Sequence, residues 1–245
     1  MKNTVGLIGF GRMGGVLSQL LLPDFDIYVF DKKIHPPLQN GVMHRDLNTV
    51  LKQKIIFIAV PIRDFENAVR NISPLLSNNT TIVDLCSVKL HPVQVMKRYL
   101  PSHVGIIAAH PLFGPDSIKL KSNLRMMMHP EYDIYKKYQE LKYYFSNKNI
   151  TILEMTPDDH DRQIARSQGI THFIGRALKN IDAKSTLVDT LGFQKLLDVM
   201  EKTNNDSLEL FYDLQNFNPY ATGVMKELIS EILNIEHNIK NNNFK

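Results

Sequence analysis

The sequence predicts a doubly wound, mostly parallel α/β sheet followed by a smaller all-helical region. Three observations point there. A glycine-rich turn joins an apolar strand to an apolar helix at the N-terminus. Short, uniformly apolar runs then alternate with helical stretches up to about residue 154, and beyond it only helical periodicity remains. The expected division is therefore 1–154 for the sheet domain and 155–245 for the helical one. With 245 residues, 43% hydrophobic and 22% charged, the chain is globular in composition.

The elements follow in order. Val5, Leu7 and Ile8 form a short buried strand, Gly9-Phe10-Gly11-Arg12-Met13-Gly14 fits G-x-G-x-x-G, and residues 16–22 continue as an apolar helix. That context turns a common glycine pattern into a dinucleotide site, the Rossmann arrangement. Gly9 permits the tight turn, Gly11 lets backbone approach a pyrophosphate, and Gly14 allows close packing of helix on strand. Residues 26–31 are the next strand, ending in Asp31, where a carboxylate accepts hydrogen bonds from ribose hydroxyls and repels a 2′-phosphate. NAD is thus expected over NADP, with Lys32 and Lys33 softening the preference. Residues 32–53 are turn-rich, with Pro36-Pro37 and Gly41, and hold one short strand and one short helix. Residues 54–60 are a strand apolar on both faces, with Val60 and Pro61 closing it beside the cofactor. Helix 64–76, strand 80–84, helix 92–100, strand 104–109, strand 124–128, helix 132–145 and strand 150–154 complete the sheet domain. Thr156-Pro157 with its following acids starts a helix. Helical stretches then cover residues 164–178, 187–200, 208–214 and 221–235.

Several function classes are excluded at this level. The net charge of +4 comes from scattered basic residues, densest in the Asn/Lys-rich tail 238–245, so no nucleic-acid partner is expected. No run reaches membrane-spanning length and glycines interrupt any signal-peptide core, so a cytoplasmic protein without a membrane partner is expected. Cys86 is the single cysteine, and His103, His129 and His160 lack metal-ligand spacing, so no metal is expected.

Ligands of open α/β sheets lie beyond the carboxyl ends of the strands. Three loops there carry candidate groups: Val60-Pro61-Ile62, Asp84-Leu85-Cys86-Ser87-Val88-Lys89, and residues 109–117 with His110, Asp116 and Ser117. An imidazole titrates near neutrality and makes His110 a usable acid or base. Singly, each has a bland alternative: His110 a structural histidine, Ser87 a helix cap, Asp31 a turn residue, Asp206 a cap between two helices.

Taken together, G-x-G-x-x-G, D-L-C-S-V-K, H-P-L-F-G-P-D-S and D-H-D-R…S-Q-x-I-T-H resemble the prephenate/arogenate dehydrogenase family of tyrosine biosynthesis over nearly the whole chain. Residues 159–172 and 205–210 are most similar to the plant-type arogenate branch. The resemblance implies an oxidoreductase acting on a CH–CH group with NAD(P), in which a cyclohexadienol loses hydride from C4 and carbon dioxide from the ring. It implies His110 as the group that takes or polarises the hydroxyl proton and Ser87 as the residue positioning histidine and hydroxyl. Gln168, Thr171 and His172 fall where the helical domain would close over substrate, and pairing through that domain implies a homodimer.

Substrate choice turns on charge. Many bacterial prephenate-type members hold a substrate carboxylate with an arginine in the helical domain. Here no arginine follows Arg176, Thr203 (next to Lys202) stands near that place, and Asp206 fits a position where an acid pairs with the arogenate ammonium. Arogenate is thus favoured over prephenate, and Lys89, Arg166 and Arg176 remain alternatives for the ring carboxylate. A prephenate-specific enzyme is the nearest alternative. A β-hydroxyacid dehydrogenase would need a lysine base on the first helix after the sheet, where this chain has Gln168 and His172. A non-catalytic NAD-binding protein would have no use for both Ser87 and His110.

Overall fold

The computed structural model describes residues 2–33, 40–115 and 124–241. Pro36-Pro37, Asp116-Ser117 and the end of the basic tail lie outside the described residues. The chain divides into two compact units, Met1–His160 and Asp161–Lys245. That division falls inside the helix that begins at Pro157, whereas the expectation set it just before that helix.

In the first unit the described strands are β1 (Asn3–Ile8), β2 (Phe25–Phe30), β3 (Val42–His44), β4 (Ile55–Ile58), β5 (Thr80–Asp84), β6 (Val104–Pro111), β7 (Arg125–Tyr132) and β8 (Thr151–Glu154). They form one sheet in the order β3-β2-β1-β4-β5-β6-β7-β8. Every pairing is parallel except β6 with β7. The connecting helices are α1 (Arg12–Leu21), α2 (Leu47–Leu51), α3 (Ile62–Ile72), α4 (Leu90–Tyr99) and α5 (Lys137–Asn147), and α6 (Pro157–Ile164) begins beyond β8. Strands β4, β5 and β6 are buried along their full length, which is why they read as unbroken apolar runs. Strand order reverses at β1, whose two neighbours are β2 and β4, so the crevice beyond β1 and β4 is where this topology receives a ligand.

Among the element boundaries that differ from the sequence reading, two have a visible local cause. Residue 132 ends β7 instead of starting a helix, and α5 begins five residues later because Asp133 accepts the N–H groups of Lys137 (2.7 Å) and Tyr138 (3.1 Å). The helix expected from residue 187 starts at Leu191. Thr190 caps it, and Asp189 accepts the Thr186 N–H and hydroxyl, folding the preceding residues into a turn that leaves Leu187 and Val188 exposed.

Among the described residues the second unit is helical throughout. A π-helical turn (Ala165–Gly169) leads into α7 (Ile170–Asn180), followed by α8 (Leu191–Asn204), α9 (Leu208–Asn216) and α10 (Ala221–Lys240). Its interior is unusually polar: Asn218 Nδ2 donates to the Asp161 carbonyl (2.8 Å), and Asn204 Nδ2 donates to the carbonyls of Gly175 (3.0 Å) and Met200 (2.7 Å). α7 and α8 approach closely at Gly175, where an added Cβ would overlap the Thr203 hydroxyl and lie 3.1 Å from its Cβ. No described helix is long and apolar enough to cross a membrane.

The Gly175 contact generates a prediction. Gly175→Ala should lower stability by about 1–3 kcal/mol through overpacking, seen as a reduced urea midpoint. Adding Thr203→Ala should recover part of the loss; an unshifted midpoint in the single variant would mean the helices can separate at no cost.

Candidate functional site

The glycine turn is shaped for a phosphate. Gly9 has φ +92°, donates its N–H to the Phe30 carbonyl (2.9 Å), and leaves no room for a Cβ against the Ala59 carbonyl at the end of β4. Gly14 packs on the Gly9 carbonyl, so α1 lies tight on β1. Gly11, the N-cap of α1, has no atom within 4 Å of where its Cβ would project. Open space over the N–H groups of a helix start is a cradle for an anion. Phe10 closes the turn by donating its N–H to Asp31 Oδ2 (2.5 Å), while Asp31 Oδ1 accepts from the Lys33 N–H (2.7 Å). Arg12 and Met13 form the first turn of α1. Val60 follows β4, and Pro61 caps α3. These residues fit a dinucleotide: phosphates over Gly11, a ribose beside Asp31, and the ends of β1 and β4 below.

Two strands further along the sheet, β5 and β6 end side by side, with Asp84 in register with Ala108. The Asp84–Ser87 loop and His110 therefore emerge from the same edge as the glycine turn. His110 is 3% exposed, and its Nδ1 shares a hydrogen bond of 2.9 Å with Nε2 of His160, itself 2% exposed. Burial, the neighbouring His160 and the Lys89 charge, in that order, hold His110 well below the usual histidine pKa, so it is neutral. Ser87 is half-buried in the loop between β5 and α4.

Lys89 was expected at the substrate, and the structure places it elsewhere. Its ammonium is fully buried, ion-paired with Asp84 Oδ1 and donating to the Ala109 carbonyl (2.6 Å). Asp84 Oδ1 also accepts from the Cys86 N–H (3.0 Å). Burial pushes the Asp84 carboxyl up to about 6, against the pull of Lys89 and the backbone donors. Lys89 is thus a fastening between β5 and β6. His160, within D-H-D-R, has no role legible in the sequence; only the fold brings it to His110. Its signal was helical position, since the Thr156 cap, whose hydroxyl accepts the Asp159 N–H (3.1 Å), sets His160 on the first turn of α6.

In the second unit, Gln168 lies in the π-helical turn and His172 and Arg176 follow at four-residue steps. Gln168 Oε1, His172 Nδ1 and Arg176 Nε are each buried without a hydrogen-bond partner among the described residues. Three such atoms in one stripe are what a polar ligand would satisfy. His172 Nε2 lies 3.6 Å from Asp206 Oδ2. Burial lowers the His172 pKa, and so does Arg176, against the opposing pull of Asp206. Thr171 and Thr203 do not join this stripe. The Thr171 hydroxyl is exposed and donates to the Ser167 carbonyl (2.9 Å), and that of Thr203 donates to the Val199 carbonyl (2.8 Å) at the packed Gly175 contact. Of the remaining basic candidates, Arg166 pairs with Glu227 (2.9 Å) at the surface. Arg176 spends Nη2 on the carbonyls of Asp206 (2.7 Å), Ser207 (3.2 Å) and Thr203 (3.3 Å). Among the described residues no group of His, Cys, Asp and Glu side chains could hold a metal ion.

Comparison with known proteins bears on the family and the fold. Residues 33–124 match the family described as prephenate dehydrogenase, nucleotide-binding domain, and residues 177–244 match the TYRAAT1-like C-terminal domain. The chain is 28% identical over 237 residues to arogenate dehydrogenase 2, chloroplastic, of Arabidopsis thaliana, covering 91% of this chain and 66% of that protein. It is 24% identical to a probable arogenate/prephenate dehydrogenase of Methanocaldococcus jannaschii, covering 86% of this chain and 49% of that one. The chain therefore spans roughly half to two thirds of these relatives' length. In fold it is similar to the prephenate dehydrogenase of A. aeolicus crystallised with hydroxyphenyl propionate and NAD+ (TM-score 0.75, 17% identity, 99% and 92% of the two chains). It is likewise similar to the Synechocystis arogenate dehydrogenase (TM-score 0.70, 19% identity, 98% and 93%).

The buried pair beneath the site can be tested directly. Lys89→Met leaves the Asp84 carboxylate uncompensated and should cost about 3–5 kcal/mol at neutral pH, read from urea unfolding. With its folded pKa near 6 and a reference value of 3.8, Asp84 binds more protons folded than unfolded in that interval. Stability from this group therefore rises as pH falls across the interval; without the Lys89 pull the variant's Asp84 takes up its proton at higher pH still, so the deficit of the variant should shrink as pH falls toward about 6 and change little below it. Equal midpoints for both proteins at neutral pH would show that Asp84 does not depend on Lys89.

Proposed function

We propose, on the premise that the chain belongs to the prephenate/arogenate dehydrogenase family and its plant-type branch, that it oxidatively decarboxylates a cyclohexadienol in tyrosine biosynthesis. We take arogenate as its substrate and NAD as its cofactor. The observation that carries the reading is His110: a buried, neutral imidazole on the strand edge that also bears the glycine turn.

When bound, the nicotinamide supplies the hydride acceptor. The residues of the chain do the rest. The N–H groups at the start of α1 and the open space over Gly11 receive the pyrophosphate, and Asp31 receives the ribose hydroxyls. A carboxylate there repels a 2′-phosphate, which supports NAD over NADP. His110 takes the proton of the C4 hydroxyl as hydride departs, and being neutral it is ready to do so at physiological pH. Ser87, on the adjacent loop, positions the hydroxyl. Loss of the carboxylate then makes the ring aromatic, so the work left to the protein is orientation and charge placement.

In the helical unit, the unsatisfied atoms of Gln168 and His172 support substrate-binding roles, and Arg176 Nε is a donor suited to a carboxylate. The Asp206 carboxylate beside His172 favours a side chain bearing an ammonium, as arogenate does, over a pyruvyl group. The same unit leaves Ile229, Ile232, Leu233 and Ile239 of α10 each more than 40% exposed. A second copy of the chain is the occupant we propose for that stripe.

Two experiments decide these points. Purified protein offered arogenate or prephenate with NAD+ or NADP+ should form the reduced nucleotide fastest with arogenate and NAD+. His110→Asn should cut turnover at least about 100-fold while cofactor binding persists. Faster turnover of prephenate would overturn the substrate assignment, and full activity of the variant would remove His110 from the chemistry. Light scattering should give twice the chain mass, with Leu233→Glu reducing it to one chain; a monomeric parent protein would rule the pairing out.

A further inference from the structure

We propose that His160 is a positioning residue for His110: it accepts the Nδ1–H of His110 and so holds that ring in the tautomer whose Nε2 carries a lone pair. The inference rests on the dehydrogenase reading above and adds to it a residue on which the base depends.

The argument starts from the hydrogen bond of 2.9 Å between His110 Nδ1 and His160 Nε2. Their rings meet edge to face, with centroids 5.1 Å apart, and both side chains are buried. One proton lies between the two nitrogens in such a contact, so there are two arrangements. If His160 donates, His110 must carry its proton on Nε2 and has no lone pair for a substrate hydroxyl. If His110 donates, Nε2 is a base. Only the second arrangement can oxidise an alcohol.

The environment also decides why an imidazole, and not a carboxylate, takes this place. The Lys89 ammonium donates to the carbonyl of Ala109, the residue before His110, and its ion pair with Asp84 leaves the floor of the site without net charge. A second carboxylate there would add a buried charge. A neutral acceptor fixes the tautomer without adding charge. Its hydrogen bond strengthens when His110 becomes cationic, where water does not reach the ring. In the proposed step the O–H bond breaks and its proton moves to His110 Nε2. The C4–H pair leaves as hydride to the nicotinamide. The electron pair of the ring–carboxylate bond then enters the ring as carbon dioxide departs, and the ring oxygen regains the proton from Nε2. The His110–His160 pair thus holds one extra proton only between the two bond cleavages.

The test combines a spectroscopic and a kinetic readout. Nitrogen NMR of the resting protein labelled with 15N-histidine should show His110 protonated at Nδ1 and unprotonated at Nε2. His160→Phe keeps a planar ring and removes the acceptor. It should mix the His110 tautomers and lower kcat about 100-fold, with KM and cofactor binding within about threefold. His160→Gln offers Oε1 as an acceptor and should restore both the nitrogen signature and most of kcat. A wild-type His110 protonated at Nε2 overturns the proposal. So does His160→Phe with unchanged kcat, or an equal loss in both variants with an unaltered tautomer. Should the wild-type protein turn over neither substrate, the dehydrogenase reading fails, while the nitrogen signature still decides the role of His160.

Discussion

Lys89 sits where the ends of β5 and β6 come side by side, its ammonium buried between the Asp84 carboxylate and the Ala109 carbonyl. Taking both charges out of water costs several kcal/mol per ion, and their attraction compensates only if further hydrogen bonds satisfy them. Here the Cys86 N–H and the Ala109 carbonyl provide two such bonds, while Asp84 Oδ2 has no hydrogen-bond partner among the described residues. The loop that carries Ser87 is thereby anchored at both ends, at Asp84 and at Lys89. The same ammonium fixes the carbonyl immediately before His110. An apolar pair of similar size could match the stability, but it would not fasten two strand ends by direction-dependent bonds.

The glycine turn is held by a related device. Asp31 reaches back from the end of β2 to the Phe10 N–H, inside the turn that the glycines form. A carboxylate usually read as a ribose acceptor is also a strut for the phosphate cradle. Its removal would disturb the turn as well as the sugar contact. Gly9 completes the arrangement: with positive φ and no space against the Ala59 carbonyl, it lets the ends of β1 and β4 lie against each other at the point where strand order reverses.

What the sequence discloses and what it hides divide along this line. Strands buried on both faces leave unbroken apolar runs, and a glycine turn has a fixed spacing, so the sheet and its cofactor edge are legible locally. Asp31 and His110 are legible because each directly follows such a run. Lys89 misleads because a lysine after a strand-end loop has the same one-dimensional signature whether it reaches solvent or folds beneath the loop. Thr203 misleads for a similar reason: only the approach of α7 at Gly175 shows that its hydroxyl is used within its own helix. His160 is invisible because its partner lies fifty residues away. The cap at Thr156 foretells the start of α6 but not which strand end its first turn meets.

The helical unit raises a different question, since its buried polar atoms are not all accounted for. Asn218 and Asn204 satisfy carbonyls and tie helices together, as polar groups in a small core must. Gln168 Oε1, His172 Nδ1 and Arg176 Nε, like Asn204 Oδ1 and Gln215 Oε1, do not find such partners among the described residues, and the first three follow one another along a single face. The π-helical turn at Ala165–Gly169 bears on this, because one extra residue in a turn rotates everything after it by about 100°. Gln168 begins a polar stripe within this turn, beside an acid at Asp206 that raises the His172 pKa against the larger effect of burial. Desolvated groups of this kind cost stability unless something polar meets them.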